Sequence, residues 1–155
     1  MSDEVNIHAS CVAVNGRGVL LLGASGAGKS DIALMLIDGG AQLVADDRTI
    51  LFLKRGQLHA RAPDSIKGLL EIRGLGIVQR PARAARVRLA IRLGEDGARL
   101  PKPRLYHQLG CAVPEFLLDP RIATTPARIR AAVEAVARDG FRDTFNLKLG
   151  PSGTK

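Results

Sequence analysis

Eight consecutive residues have the composition to hold a phosphate chain. Gly23-Ala24-Ser25-Gly26-Ala27-Gly28-Lys29-Ser30 fits G-x-x-x-x-G-K-[ST]. In that motif backbone N–H groups cradle phosphates, the lysine reaches the outer phosphates and the hydroxyl meets magnesium. The surroundings suit the motif. Gly18 to Leu22 runs into it as an apolar strand, and Asp31 to Asp38 leaves it as a mostly apolar helix. A glycine turn between strand and helix gathers N–H groups at the positive end of the helix dipole. The plainer alternative is a chance glycine turn, which would not require every fixed position to be met.

A second cluster of chemistry-bearing residues follows closely. The short apolar run Gln42 to Ala45 ends in Asp46-Asp47. A carboxylate at the carboxyl end of such a strand can meet the magnesium of a P-loop. Two adjacent carboxylates can divide the work, one orienting the metal and the other accepting a proton. The competing reading is a pair of turn residues, since Asp is common there. Further on, Glu71 and Arg73 stand two apart, so in extended chain they share a face. Glu71 could complete magnesium ligation and Arg73 could bind phosphate; a surface ion pair beside a turn explains the spacing equally well. His8 lies in the first strand. A lone strand histidine is more often structural, and so are His59 on a hairpin and His107 on a later strand.

These residues need elements to position them. Val5 to Val14 reads as one strand, followed by the hairpin turn Asn15-Gly16-Arg17-Gly18 and a second strand ending at Leu22. The helix after Lys29 is apolar nearly all round, which predicts burial between layers, and Gly39-Gly40 ends it. Thr49 to Leu53 and Gln57 to Arg61 form a hairpin across Lys54-Arg55-Gly56. Leu70 to Gln79 is neither a good helix nor a clean strand before Ile77. Val87 to Leu93 is a strand with arginines at alternate positions, which predicts a solvated edge strand protected by charge; steering of an acidic partner is the alternative. Tyr106 to Val113 and Phe116 to Leu118 are further strands. Thr125 as N-cap and Pro126 at N1 open a last helix with an Ile129, Val133, Val136 core stripe, closed by Gly140.

The totals narrow the class. The 155 residues suit one domain, taken as 1–149, with a flexible tail at 150–155. No apolar run approaches a membrane span, and the acidic start lacks a signal-peptide apolar region. A cytoplasmic protein without a membrane partner is expected. The net charge of +8 implies an anionic ligand or partner. Nucleic acid is disfavoured, because only five residues are aromatic and no nucleic-acid-binding motif occurs. Cys11 and Cys111 lack metal-ligand spacing and read as small buried hydrophobes.

Together, His8, Gly23 to Ser30, Val44-Ala45-Asp46-Asp47-Arg48 and Leu70-Glu71-Ile72-Arg73-Gly74-Leu75-Gly76-Ile77 resemble the catalytic domain of the HPr kinase/phosphorylase family. The resemblance is clear from Asn6 to Gln79 and thinner beyond. It implies an α/β P-loop domain with a mixed β-sheet flanked by helices, similar to the nucleotide-binding part of phosphoenolpyruvate carboxykinase. It implies phosphorylation of a serine on an HPr-like phosphocarrier with ATP and Mg²⁺. It also implies a reverse phosphorolysis, in which inorganic phosphate takes the phosphoryl group and pyrophosphate leaves. Such proteins are homo-oligomers, typically hexamers. By the resemblance, Gly23, Ala24, Ser25, Gly26, Ala27, Gly28, Lys29 and Ser30 hold ATP, and Ser30 and Glu71 ligate magnesium. Asp47 takes the serine proton, with Asp46 its supporting neighbour. His8 matches the catalytic histidine, against the bland reading above. Arg73 lies in the signature segment, and Arg99 is the match for a late active-site arginine, with Arg104 competing.

Two departures stand out. The chain starts almost at the catalytic hairpin and so resembles the short form, without the N-terminal domain of long members. The family's late basic loop, Pro-Val-Lys-x-Gly-Arg, is replaced by Asp119-Pro120-Arg121-Ile122-Ala123-Thr124, which keeps only Arg121. Kinase activity is therefore a firmer expectation than phosphorylase activity. A nucleotide-sensing module and a small-molecule P-loop kinase are the competing functions.

Overall fold

The computed structural model describes residues 4–95 and 104–138. Two strands dominate its centre, β3 (Arg17–Leu22) and β9 (Ala85–Leu93), which run parallel with Gly18 opposite Val87 and Leu22 opposite Arg92. Around them stand β1 (Glu4–His8), β2 (Ser10–Val14), β4 (Gln42–Ala45), β5 (Arg48–Lys54) and β6 (Gln57–Arg61), in the order β1-β5-β6-β9-β3-β2-β4. The remaining strands of this nine-stranded sheet are β10 (Leu105–Gln108) and β11 (Cys111–Leu118), with β11 parallel to β9. A separate hairpin is formed by β7 (Leu69–Ile72) and β8 (Gly76–Gln79). The helices are α1 (Lys29–Asp38) and α2 (Thr125–Ala137). The expected mixed sheet with helices is observed. No described helix is long and apolar enough to cross a membrane.

The sheet divides the core in two. Val12, Val14, Val19 and Leu21 pack with Ile32, Leu36, Leu89, Ile91 and Ile129 beneath the helices. The alternate residues Cys11, Ala13, Leu20 and Leu22 pack on the other face with Leu51, Leu58, Ala60 and Val87. Strands buried on both faces read as continuous apolar runs, which is why β2 and β3 alternate so loosely in sequence.

Several expectations are corrected. The segment from Val5 to Val14 is two strands, broken at Ala9, whose carbonyl accepts a hydrogen bond from the Thr49 hydroxyl at 2.8 Å. The break lets β1 pair with β5 while β2 pairs with β3 and β4. Helix α1 is not buried between layers; Asp31 and Asp38 face solvent, and Met35 is 47% exposed. Strand β9 is no edge strand, since β3 covers one side of it and β6 and β11 share the other. The 105–118 stretch is a hairpin turning at Leu109-Gly110, both with positive φ. Pro114 is tolerated inside β11 because pairing with β9 begins only at Glu115. The α2 N-cap is Thr124, without a side-chain cap, while the Thr125 hydroxyl donates to the Asp119 carbonyl at 2.5 Å. Cys11 is fully buried, but Cys111 is half-buried, and so is His59, tilted against the Phe52 ring at 5.6 Å. Gly140 and the 150–155 tail lie outside the described residues.

The three parallel strands end on one edge of the sheet. Leu22 leads into the glycine loop, Leu93 into Gly94-Glu95 and Leu118 into Asp119-Pro120-Arg121. Open α/β sheets present their ligand crevices at such carboxyl ends.

Candidate active site

The Gly23–Ser30 loop bends through three glycines of positive φ, Gly23, Gly26 and Gly28, and an Ala27 N–H to Ala24 carbonyl turn of 3.0 Å. Gly28, at φ 104°, is the N-cap of α1, and no side chain caps that end. The first helical N–H groups are thus left for a ligand. The Lys29 ammonium folds back and donates to the carbonyls of Gly23 and Ala24, each at 2.9 Å. Partial burial lowers its pKa, and the negative charges of Asp47 and Asp46 act in the opposite direction.

Asp46 ties the site together. Its buried Oδ1 accepts from the Ser10 hydroxyl at 2.9 Å and the Ser30 hydroxyl at 2.8 Å. Its Oδ2 accepts from the Glu71 backbone N–H at 3.1 Å. One carboxylate therefore fixes β2, the start of α1 and β7 to the end of β4. Asp47 takes the opposite course. A tight turn, with the Arg48 N–H donating to the Asp46 carbonyl at 2.8 Å, sets Asp47 at φ 69° and turns its side chain outward. Asp is among the few residues that accept this conformation readily. The Asp47 carboxylate is 69% exposed and meets His8 Nε2 at 3.0 Å. Its backbone N–H donates to Ser10 Oγ at 3.1 Å, so Ser10 connects the two aspartates.

These groups line one cleft of about 260 Å³, formed by His8, Ser10, Ser25, Gly26, Gly28, Lys29, Ser30, Asp31, Asp47, Glu71 and Arg73. Glu71 comes from β7, and Arg73 from the turn that joins β7 to β8. The uncertain Leu70 to Gln79 stretch is thus a hairpin that carries two polar residues to the cleft. Among the described residues, no cluster of three or more His, Cys, Asp or Glu stands ready for a metal.

Of the residues expected at the site, His8, Lys29, Ser30, Asp47, Glu71 and Arg73 line the cleft, and Asp46 braces it from behind. Arg99 lies outside the described residues. Arg104 does not line the cleft; its guanidinium stands 3.6 Å from the buried Glu115, which also pairs with Arg92 at 3.3 Å. Arg121 is held by Asp119 at 2.9 Å and Glu95 at 2.6 Å. Its neighbour Pro120 packs on the glycine loop, within 3.3 Å of where a Cβ on Gly28 would sit. Sequence reasoning missed Ser10. Its signal is a single hydroxyl inside the otherwise apolar run Ala9 to Val14. Asp31, exposed in the first turn of α1, was also missed.

Residues 1–83 match the family model for the HPr Serine kinase C-terminal domain. The chain belongs to this family. Every residue lining the cleft falls within the matched segment. The HPr kinase/phosphorylase of Lactobacillus acidophilus is 47% identical over 74 residues, 47% of this chain and 23% of that protein. That of Clostridium tetani is 43% identical over 82 residues, 53% of this chain and 27% of that protein. The matched stretch thus spans about a quarter of the length of these curated relatives. The solved structure of the Hpr(Ser) kinase/phosphatase from Coxiella burnetii is similar across 87% of this chain and 92% of that one, with a TM-score of 0.76 and 29% identity. The likeness therefore extends well past residue 83, over most of the sheet.

Proposed function

We propose that the chain is a protein serine kinase that transfers the terminal phosphoryl group of ATP to a serine of an HPr-like phosphocarrier. The position of Asp47 carries this reading. An outward-facing carboxylate, 3.0 Å from His8, shares a cleft with a glycine loop of the G-x-x-x-x-G-K-[ST] type. A metabolite kinase would also need the loop, but family membership favours a protein acceptor.

In this reading the glycine loop is a P-loop. Its N–H groups and the α1 N-terminus hold the phosphates, and Lys29 exchanges its carbonyl partners for phosphate oxygens. Likeness to the nucleotide-binding part of phosphoenolpyruvate carboxykinase is part of the same proposal. Asp47 accepts the proton of the attacking serine hydroxyl, and His8 orients that carboxylate. Arg73 offsets negative charge on the transferring group. The Ser30 hydroxyl donates its hydrogen bond to Asp46, which leaves its oxygen lone pairs for a cation, and the Glu71 carboxylate shares the cleft. With phosphate oxygens and water these donors fit the octahedral oxygen set of Mg²⁺, which supplies charge neutralisation on the phosphates when bound. Run in reverse, inorganic phosphate attacks the phosphoserine phosphorus, protonated Asp47 returns its proton to the serine oxygen, and pyrophosphate leaves. By the same family reading the protein acts in the cytoplasm as a homo-oligomer, a hexamer.

The test is incubation with radiolabelled ATP, Mg²⁺ and an HPr-like protein. Label on a serine of that protein, lost in Asp47→Asn while ATP still binds, is the expected result. Full activity in Asp47→Asn removes Asp47 as the base, and labelling of a metabolite alone removes the protein acceptor. Pyrophosphate release from phosphoserine-HPr and inorganic phosphate checks the reverse reaction.

A further inference from the structure

The glycine loop rests at both ends on turns at the carboxyl edge of the sheet. A Cβ on Gly23 would lie 3.2 Å from the Leu93 carbonyl oxygen, at the end of β9. A Cβ on Gly28 would lie 3.3 and 3.5 Å from Cβ and Cγ of Pro120, just past β11. The two turns are joined to each other. The Gly94 N–H donates to the Leu118 carbonyl at 3.0 Å. Arg121 then spans both with one guanidinium. Its Nη2 donates to Glu95, in the turn after β9, at 2.6 Å and to Asp119 Oδ2 at 2.9 Å, and its Nε donates to Asp119 Oδ1 at 3.1 Å. Its backbone N–H donates to the same Asp119 oxygen at 2.9 Å.

Between these supports the loop has few bonds of its own. Gly23, Gly26 and Gly28 all have positive φ, and the Ala27 N–H donates to the Ala24 carbonyl. The two hydrogen bonds from the Lys29 ammonium are given up when it turns to a phosphate. Glycine has the most conformational freedom to lose on ordering. A ligand must offset that loss unless the loop is already held in shape.

We propose that Arg121 is a positioning residue for the phosphate site. By bridging Asp119 and Glu95 it holds Pro120 and Leu93 against the two ends of the glycine loop, which keeps the loop shaped for a phosphate chain before one binds. The identity of that ligand, ATP, rests on the kinase reading above. A planar fork suits Arg121 to this bridge, because one guanidinium can meet two carboxylates at once. The brace differs from a direct role as a phosphate ligand. In a direct role the two carboxylates compete with phosphate for the guanidinium; in the brace they are required.

The two roles separate by the sign of one effect. The Glu95 side chain is 81% exposed, so Glu95→Gln spares the global fold. The brace predicts weaker ATP binding by calorimetry in Glu95→Gln and Arg121→Gln, about threefold to fivefold, the scale of one exposed ion pair. Pro120→Gly, which removes the contact on Gly28, should weaken binding at least as much. A direct phosphate contact predicts tighter binding in Glu95→Gln, because Arg121 is released. With an HPr-like acceptor, the KM for ATP should rise in these variants while kcat and the acceptor KM stay. A further readout needs no nucleotide. Amide exchange at Ala27 should quicken in all three variants of the ligand-free chain. Arg138→Gln, which breaks an exposed pair with Glu134 at the end of α2, should change neither affinity nor exchange. Unchanged ATP affinity in Glu95→Gln and Pro120→Gly overturns the proposal, and so does tighter binding in Glu95→Gln. If the wild-type chain binds no ATP, the kinase reading falls and Ala27 decides the brace by itself. Faster exchange there upholds it, and exchange at the wild-type rate in all three variants overturns it.

Discussion

Replacing Asp46 by Asn tests whether one buried carboxylate organises the site. Asn keeps the shape but has a single acceptor oxygen. Directed at Ser10 and Ser30, that oxygen preserves two hydrogen bonds and sets the amide NH₂ against the Glu71 N–H, donor against donor. Turned the other way, it serves Glu71 and forces both serine hydroxyls to act as acceptors, leaving their protons without a partner. Losing a hydrogen bond to a charged group costs about 1.5–3 kcal/mol, and an unmatched buried donor adds to this. Removing a buried charge recovers part of that cost. A net loss of about 2 kcal/mol is expected, or a melting temperature about 4–8 °C lower for a chain of this size. Asp47→Asn is the control. That side chain is 69% exposed, so its loss should cost no more than about 1 kcal/mol. Thermal melts of both variants without ligand, with amide exchange at Glu71, read the difference. The Glu71 N–H should exchange faster in Asp46→Asn alone. If both variants melt together and Glu71 stays protected, Asp46 is not the organising group.

Three further outcomes follow from the same geometry. Gly18→Ala would place a Cβ 2.7 Å from the Arg86 carbonyl oxygen, so β3 and β9 must part, at a cost of about 1–3 kcal/mol in urea unfolding; wild-type stability would contradict the close approach. Lys29→Ala should abolish tight ATP binding by calorimetry while leaving the fold intact, since among the described residues the Lys29 ammonium donates its hydrogen bonds to carbonyls of its own loop. Hydrogen bonds from Arg121 lower the Asp119 pKa, so the stability gained from this pairing is present above the unfolded value, about 3.9, and is lost as pH falls through the folded one. Asp119→Asn should therefore unfold at lower urea than the parent at pH 7, with the gap closing in acid; a constant gap would refute the linkage.

Much of the site was legible because its parts are local. The spacing Gly23 to Ser30 dictates a strand, a loop of positive-φ glycines and a helix whose first N–H groups are uncapped. Asp46-Asp47 at the end of an apolar run announced carboxylates at a strand terminus. The Leu70 to Gln79 stretch was recognisable by its residues but not by its shape, since a hairpin of four-residue strands leaves little periodicity. Residues of identical type in identical local settings could not be told apart. Asp46 and Asp47 are neighbours, yet the turn between them sends one into three hydrogen bonds and the other to the cleft beside His8.

The sequence by itself determined the chemistry on offer: a phosphate loop, paired aspartates, a Glu and an Arg two apart, and an excess of basic residues. The tertiary structure alone decided which of these meet. His8 is thirty-nine positions from Asp47, and only the break at Ala9, which sends β1 to β5 and β2 to β3, brings them to 3.0 Å. Ser10 became a connector because that break sets it beside both aspartates. The arginines of β9 looked like an edge, and pairing on both sides made them interior. Pairing partners are fixed by which apolar faces are buried against one another, and that is a property of the whole sheet rather than of any one strand.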